Sequence, residues 1–172
     1  MIETVSRWLA GMGPRKDREI LRKLINPLAD RYSTGPLTTA GLVITATTGK
    51  KVPKTGSAAM YLAVNGVLAS IAAGTDMPAL AGTVVNATFN VFCFFQDAGG
   101  TRTSAMGTAG AYLAAVKFPP FPEGKALLGF IIINPTGTGD FVGGTTALDD
   151  ATVAPGTLYV SPTAPFDPTV LL

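Results

Sequence analysis

The sequence predicts a mainly β protein: an antiparallel β-sandwich or jelly-roll body over residues 34–172, carrying a helical docking arm over residues 1–33. Three observations carry this expectation. Residues 84–96 alternate at period 2, with Val85, Ala87, Phe89, Val91, Cys93 and Phe95 on one face and Asn86, Thr88, Asn90 and Gln96 on the other, the signature of a strand. The chain after residue 40 is cut into short apolar segments by turn residues, and it contains 20 Gly and 13 Pro in 172 residues. Charge is gathered at the front: residues 1–32 hold seven Lys/Arg and four acids, whereas residues 33–172 hold six bases and seven acids.

The elements follow in order. Residues 15–31 place Ile20, Leu21, Leu24, Ile25 and Leu28 on one helical stripe with charges opposite. Pro27 kinks or ends that helix. A short first helix over 3–12 groups Val5, Trp8, Leu9 and Met12, and Gly11, Gly13 and Pro14 separate the two. Ser33 to Pro36 reads as the linker. In the body, Leu42 to Thr48 is a β-branched strand. Residues 59–64 and 67–72 flank Asn65-Gly66, a hairpin signal whose rival is an Ala-rich helix. The strand of 84–96 turns at Asp97-Ala-Gly-Gly100 toward a strand over 101–105. Residues 111–118 form a further strand before the Pro119 to Pro122 corner. Ala126 to Ile133 is a continuous apolar run, hence buried on both faces. Turns follow at Gly137-Thr-Gly139 and Gly143-Gly144, and Thr157 to Val160 is the last strand. The total is seven to nine strands.

Phe92 and Phe94 turn the polar face of the 84–96 strand apolar near its end, so that face needs a cover: a loop of the same chain or a neighbouring subunit. With Phe130 they are expected in the core or at an interface of the body.

The composition excludes much chemistry. There is no His, which removes Ser-His-Asp and Cys-His catalysis and imidazole-held zinc. The single Cys removes an internal disulfide framework and an all-cysteine zinc site. Cys93, on an apolar strand face, reads as a small buried hydrophobe. Gly49-Lys50 lacks the upstream glycine of a phosphate loop, and Gly137 to Gly144 departs from G-x-G-x-x-G at Val142. The body's carboxylates, Asp76, Asp97, Glu123, Asp140, Asp149, Asp150 and Asp167, all lie beside turn residues, where Asp closes local hydrogen bonds. A glycosidase pair or a calcium site at Asp140, Asp149 and Asp150 is the sharper alternative, without an EF-hand pattern behind it. Asn86-Ala-Thr88 matches the glycosylation pattern, but the start MIETVSRWLAGMG has no secretory layout to give it meaning. No catalytic, cofactor or metal residue is therefore assigned.

Two stretches, 55–75 and 77–96, carry no charge, which raises the membrane question. Asn65-Gly66 interrupts one and Thr83, Asn86, Thr88 and Asn90 the other, so buried strands explain them better. A monomer usually keeps a charged surface, so a body this sparsely charged is expected to be covered by partners. In the arm, Asp17 and Glu19 among the bases make an ordinary solvated helix, and nucleic acid is a weaker partner than protein. Trp8, Ile20, Leu21, Leu24, Ile25 and Leu28 are the expected docking residues.

The runs LVITATTGKKV, NGVLASIAAGTDMPALAGTVVNATFNVFCFF, PEGKALLGFIIINPTGTGDFVGGTTALDD and PTAPFDP resemble virion structural proteins of tailed phages, of the head decoration, cement or head-fibre type, over roughly residues 40–168. The resemblance implies a β-rich oligomer, commonly a trimer, with no enzymatic residues to carry over. It implies a bacteriophage capsid decoration subunit that binds and stabilises the head shell, partnered by itself and the major capsid protein or another virion protein. The implied location is the virion, assembled in the host cytoplasm. The alternative is a head or tail fibre attachment protein binding a host glycan, which exposed aromatics such as Tyr61, Tyr112 or Tyr159 at a loop tip would favour.

Overall fold

The computed structural model describes Glu19 and residues 33–45 and 55–163. The expected helical arm, with Trp8, Ile20, Leu21, Leu24, Ile25 and Leu28, lies outside the described residues, as do 46–48 of the expected 42–48 strand. What is described is β-rich and antiparallel throughout: β1 (Gly35–Pro36), β2 (Met60–Val64), β3 (Val67–Ile71), β4 (Thr83–Val84), β5 (Asn90–Asp97), β6 (Arg102–Met106), β7 (Lys125–Ile133), β8 (Phe141–Val142) and β9 (Leu158–Val160). They form a three-stranded sheet in the order β1-β2-β3, a small β4-β8 ladder and a main four-stranded sheet, β6-β5-β7-β9.

The main sheet has apolar side chains on both faces, and the chain itself covers both. On one face Phe92, Phe94, Leu128, Ile131 and Ile133 pack with Met60, Leu62, Val64 and Ile71 of the three-stranded sheet and with Met77, Leu80, Val84 and Phe141. Phe92 and Phe141 meet edge to face, centroids 6.3 Å apart. On the other face Val91, Cys93, Phe95, Leu127 and Phe130 are roofed by Val116, Phe118 and Phe121 from the connection between β6 and β7. Phe118 lies edge-on to both Phe130 and Phe121. Fully burying a phenylalanine contributes roughly 1.5–3 kcal/mol, so β5, with Phe92, Phe94 and Phe95 all at 0% exposure, is the most stabilised strand in the body. Gln96 ends the Phe92–Phe94 face in polarity; it is buried, and its Oε1 has no partner among the described residues.

A bulge makes β7 serve both cores. Phe94 pairs with Gly129 and Phe95 with Leu127, leaving Leu128 as the extra residue. The bulge switches the alternation: Ala126 and Leu128 face the first core, and so do Ile131 and Ile133 beyond it. Gly129 sits at this crossing because nothing larger fits. A Cβ there would lie 2.7 Å from the Val160 carbonyl oxygen and 2.5 Å from Leu42 Cδ1.

The hairpin forms as its turn dipeptide requires, and the helix alternative is discarded. Asn65 at φ 50° and Gly66 at φ 75° make a type I′ turn, setting the register Val64↔Val67 through Met60↔Ile71. Thr34 Oγ1 donates to Asn65 Oδ1 and accepts the Asn65 amide, and Gly66 N–H donates to the Ser33 carbonyl. Ser33 and Thr34 thus lie against the hairpin tip.

Three expected strands differ. That over 84–96 is interrupted: Val85 to Thr88 make a turn with Ala87 at φ 60°, held by Ala87 N–H to the Pro135 carbonyl. The alternation of 85–89 was coincidental to a turn. Over 111–118 the chain makes a 3-10 turn at Leu113–Ala115, because Val116 and Phe118 must fold inward to roof the second core. Residues 42–45 form no extended ladder; Leu42 N–H instead donates to Ser161 Oγ.

Gly129→Ala should lower stability by about 1–3 kcal/mol, the cost of forcing a methyl against backbone. Gly66→Ala meets no atom within 4 Å and is strained only by its positive φ, so it should cost about 1 kcal/mol. Urea unfolding of both variants checks the order; a larger loss at Gly66 would contradict it.

Candidate interaction surfaces

The sequence-derived residues of the body fall into the interior. Phe92 and Phe94 are 0% exposed and Phe130 8%. All three are core residues of the single chain, and of the two covers the sequence left open, the chain's own sheet and loop occupy these strand faces. Cys93 is fully buried, and burial pushes its thiol pKa up, away from the reactive thiolate.

Two carboxylates, Asp97 and Asp150, close local turns, and two, Asp140 and Asp76, tie distant segments together. Asp97 Oδ1 accepts the Thr101 amide at 2.8 Å, Asp140 Oδ1 the Asn86 amide at 2.8 Å, and Asp150 Oδ1 the amides of Thr152 and Val153. Asp76 Oδ1 accepts the Thr45 hydroxyl. Among the described residues no three His, Cys, Asp or Glu side chains lie close enough to hold a metal ion, so Asp140, Asp149 and Asp150 do not converge. Asp167 lies outside the described residues. No helix among the described residues is long and apolar enough to cross a membrane.

The surface is unusual for what it exposes. On the outer face of the three-stranded sheet, Leu37 is 57% exposed, Tyr61 48% and Leu68 68%. The geometry follows from the register. Met60, Leu62 and Ile71 point into the core, so Tyr61, Ala63, Leu68 and Ser70 point out. Leu37 continues this face, its amide donating to the Tyr61 carbonyl. No charged residue lies between 55 and 75 to interrupt it. A second exposed apolar group sits at the opposite end of the main sheet. Phe89 bridges Gly110, bringing the Val85–Thr88 turn beside the loop that exposes Tyr112 (64%) and Leu113 (50%). Loops 85–88 and 109–116 hold no charge. By contrast Asp97, Arg102, Glu123 and Lys125 cluster at the end where the chain enters: Asp97 pairs with Lys125 and Gln96 with Arg102, and Gly124 neighbours Asn65.

Sequence reasoning missed the outer hairpin face. The signal was available once a hairpin was accepted, since strict alternation of Met60, Leu62 and Val64 inward puts Tyr61 outward. Of the three tyrosines singled out, Tyr61 lies in a strand, Tyr112 at a loop tip, and Tyr159 packs against the first core. No protein-family model, curated protein or solved structure matches the chain.

Burial, and then the negative charge of Asp149, push the Tyr159 hydroxyl up to about 12. The native state holds this proton above the pH at which the unfolded chain releases it, near 10. Its contribution to stability is therefore complete below about pH 10 and is lost as pH rises through 12. Tyr159→Phe should flatten the fall in stability between those pH values, read from denaturant midpoints; an unchanged alkaline slope would refute the assignment.

Proposed function

We propose that the chain is a structural subunit of a phage virion, a capsid decoration or cement protein that attaches to the head shell as an oligomer, with a β-sandwich body and an N-terminal docking arm. The observation that carries the reading is the uncharged apolar outer face at Leu37, Tyr61 and Leu68 on a body whose described charges are only Arg102, Lys117, Lys125 and six acids. Exposed apolar area of this kind marks a contact surface. Its resemblance to virion structural proteins supports the same reading, and the absence of His and the engagement of Asp76, Asp97, Asp140 and Asp150 by the chain's own amides and hydroxyl leave little for catalysis. With the strand faces of β5 and β7 occupied internally, the oligomer, a trimer in this reading, uses the exposed face instead. The arm joins the body at the hairpin tip and would fasten that end to the shell.

A second reading has one observation in its favour. Tyr112 is 64% exposed on an uncharged loop, and an exposed aromatic ring of this kind suits stacking against a sugar. In that reading the protein is a head or tail fibre attachment protein binding a host glycan.

Removal of residues 1–32 should leave a folded β oligomer, judged by circular dichroism and mass in solution, that no longer binds the shell. Electron microscopy of the particle should show the full chain at head lattice positions. A solitary soluble chain, or density at the tail tip alone, would overturn the decoration reading. Glycan-array binding lost on Tyr112→Ala would replace it with the attachment reading.

A further inference from the structure

The free edge of the three-stranded sheet has a partner written into it. In a two-residue hairpin the residues flanking the turn form a hydrogen-bonded pair, and bonded and non-bonded pairs then alternate. Val64 and Val67 flank this turn, so Val67, Ala69 and Ile71 bond to β2, whereas the amides and carbonyls of Leu68 and Ser70 face away from it. None of those four groups has a partner among the described residues. Edge strands are ordinarily guarded by charge, proline or a bulge. Strand β3, VLASI, has none of these, and its Leu68 and Val67 are 68% and 54% exposed.

We propose that β3 pairs antiparallel with β3 of a second copy of this chain across a two-fold axis at Ala69, joining two three-stranded sheets into one of six strands. The register follows from the unpaired groups. Only a centre at Ala69 sets Leu68 opposite the second copy's Ser70 and Ser70 opposite its Leu68, which satisfies all four groups of both copies within the strands. A centre at Leu68 sets Ser70 opposite the turn glycine, and a centre at Ser70 carries Leu68 past the strand end to Ala72. The side chains agree with this choice. On the outer face Tyr61 already sits beside Ser70, and Ala63 beside Leu68. The two-fold extends these into rows that alternate large and small: Tyr61, Ser70, then leucine and alanine of the second copy. Each leucine fills the space over a serine. On the inner face the exposed Val67 lies against the second copy's Ile71. No charge lies between residues 55 and 75, so the paired hairpins bring no like charges of their own together. The pairing does not depend on a virion role, and, being two-fold, it is a contact between oligomers rather than within a trimer.

The test is a cysteine series in the full chain, in which the native Cys93 is buried and silent. At a non-bonded antiparallel pair the Cα atoms lie about 4.5 Å apart, within disulfide reach. Ala69→Cys should convert most of the protein to a covalent dimer under mild oxidation. Leu68→Cys, whose copies lie diagonally, should not, and adding Ser70→Pro to Ala69→Cys should abolish the cross-link by removing an edge donor. Because Ala69 contacts the core, mass in solution of the exposed-site variant Leu68→Lys is the companion measurement, with the dimer fraction expected to fall at least tenfold. A folded Ala69→Cys protein that stays single-chain, cross-linking at Leu68→Cys instead, or a dimer fraction unmoved by Leu68→Lys would each overturn the pairing. Loss of shell binding alone, with the dimer intact, would count against the virion reading and uphold this one.

Discussion

The fold depends on one constraint: β5 and β7 are apolar on both faces, so the main sheet must be roofed twice. The eight residues of β5 have no outward polar row; Phe92 and Phe94 face one side, Val91, Cys93 and Phe95 the other. A purely antiparallel meander of this length would leave one side in water, at a cost of several kilocalories per mole for aromatic residues. The chain resolves this with unequal covers. One is a sheet, β1-β2-β3. The other is an irregular connection, whose Val116, Phe118 and Phe121 do the work of a missing strand layer. The bulge at Leu128 belongs to the same solution: it lets one strand contribute to the first core before and after the crossing, with Gly129 admitting the Val160 carbonyl at close range.

Much of this was legible in the sequence, for identifiable reasons. The Asn65-Gly66 turn was readable because only a few dipeptides accept two successive positive φ values. The Ala126 to Ile133 run was readable because eight residues without a polar position have no other home than a buried strand. The strands with weak patterns were not. Strands β1, β4 and β8 are two residues long and exist only as pairings between distant segments, which no local pattern encodes. The false strand over 85–89 shows the converse error: period-2 alternation continued through a turn fixed by Pro135 and Asp140, some fifty residues away. The apolar residues of 111–118 were read as strand by composition, whereas their burial is decided by the face of β5 and β7 that they must close.

The candidate surface was obscured by a related ambiguity. A surplus of apolar residues in a low-charge body is legible in the sequence, but the sequence leaves Phe92, Phe94 and Phe130 open between core and interface. The phenylalanines take the interior, because each buries much area and carries no polar atom. What remains exposed is aliphatic side chains and tyrosines, whose hydroxyl tolerates water: Leu37, Tyr61, Val67 and Leu68. A single chain with two internal roofs has satisfied its core and still has an uncharged outer sheet face left over.

The distribution of that surplus gives the body a direction. Ser33 lies against the hairpin tip, and the nearby strand ends and turn hold Asp97, Arg102, Lys125 and Glu123, a charge-bearing end. The opposite end presents Val85, Tyr112 and Leu113 on loops without charge. Between them runs the flank of Leu37, Tyr61 and Leu68. The body thus carries an apolar flank and an apolar tip set apart from its charged end. Flank and tip differ in kind. The flank is built on hydrogen-bonded strands with an unpaired edge, so it can recognise another backbone in a fixed register. The tip is loop, held by the Phe89–Gly110 and Thr108–Lys117 bridges, and offers side chains without an ordered edge. The two surfaces thus differ in what they can offer: the flank an ordered backbone edge, the tip side chains on irregular loops.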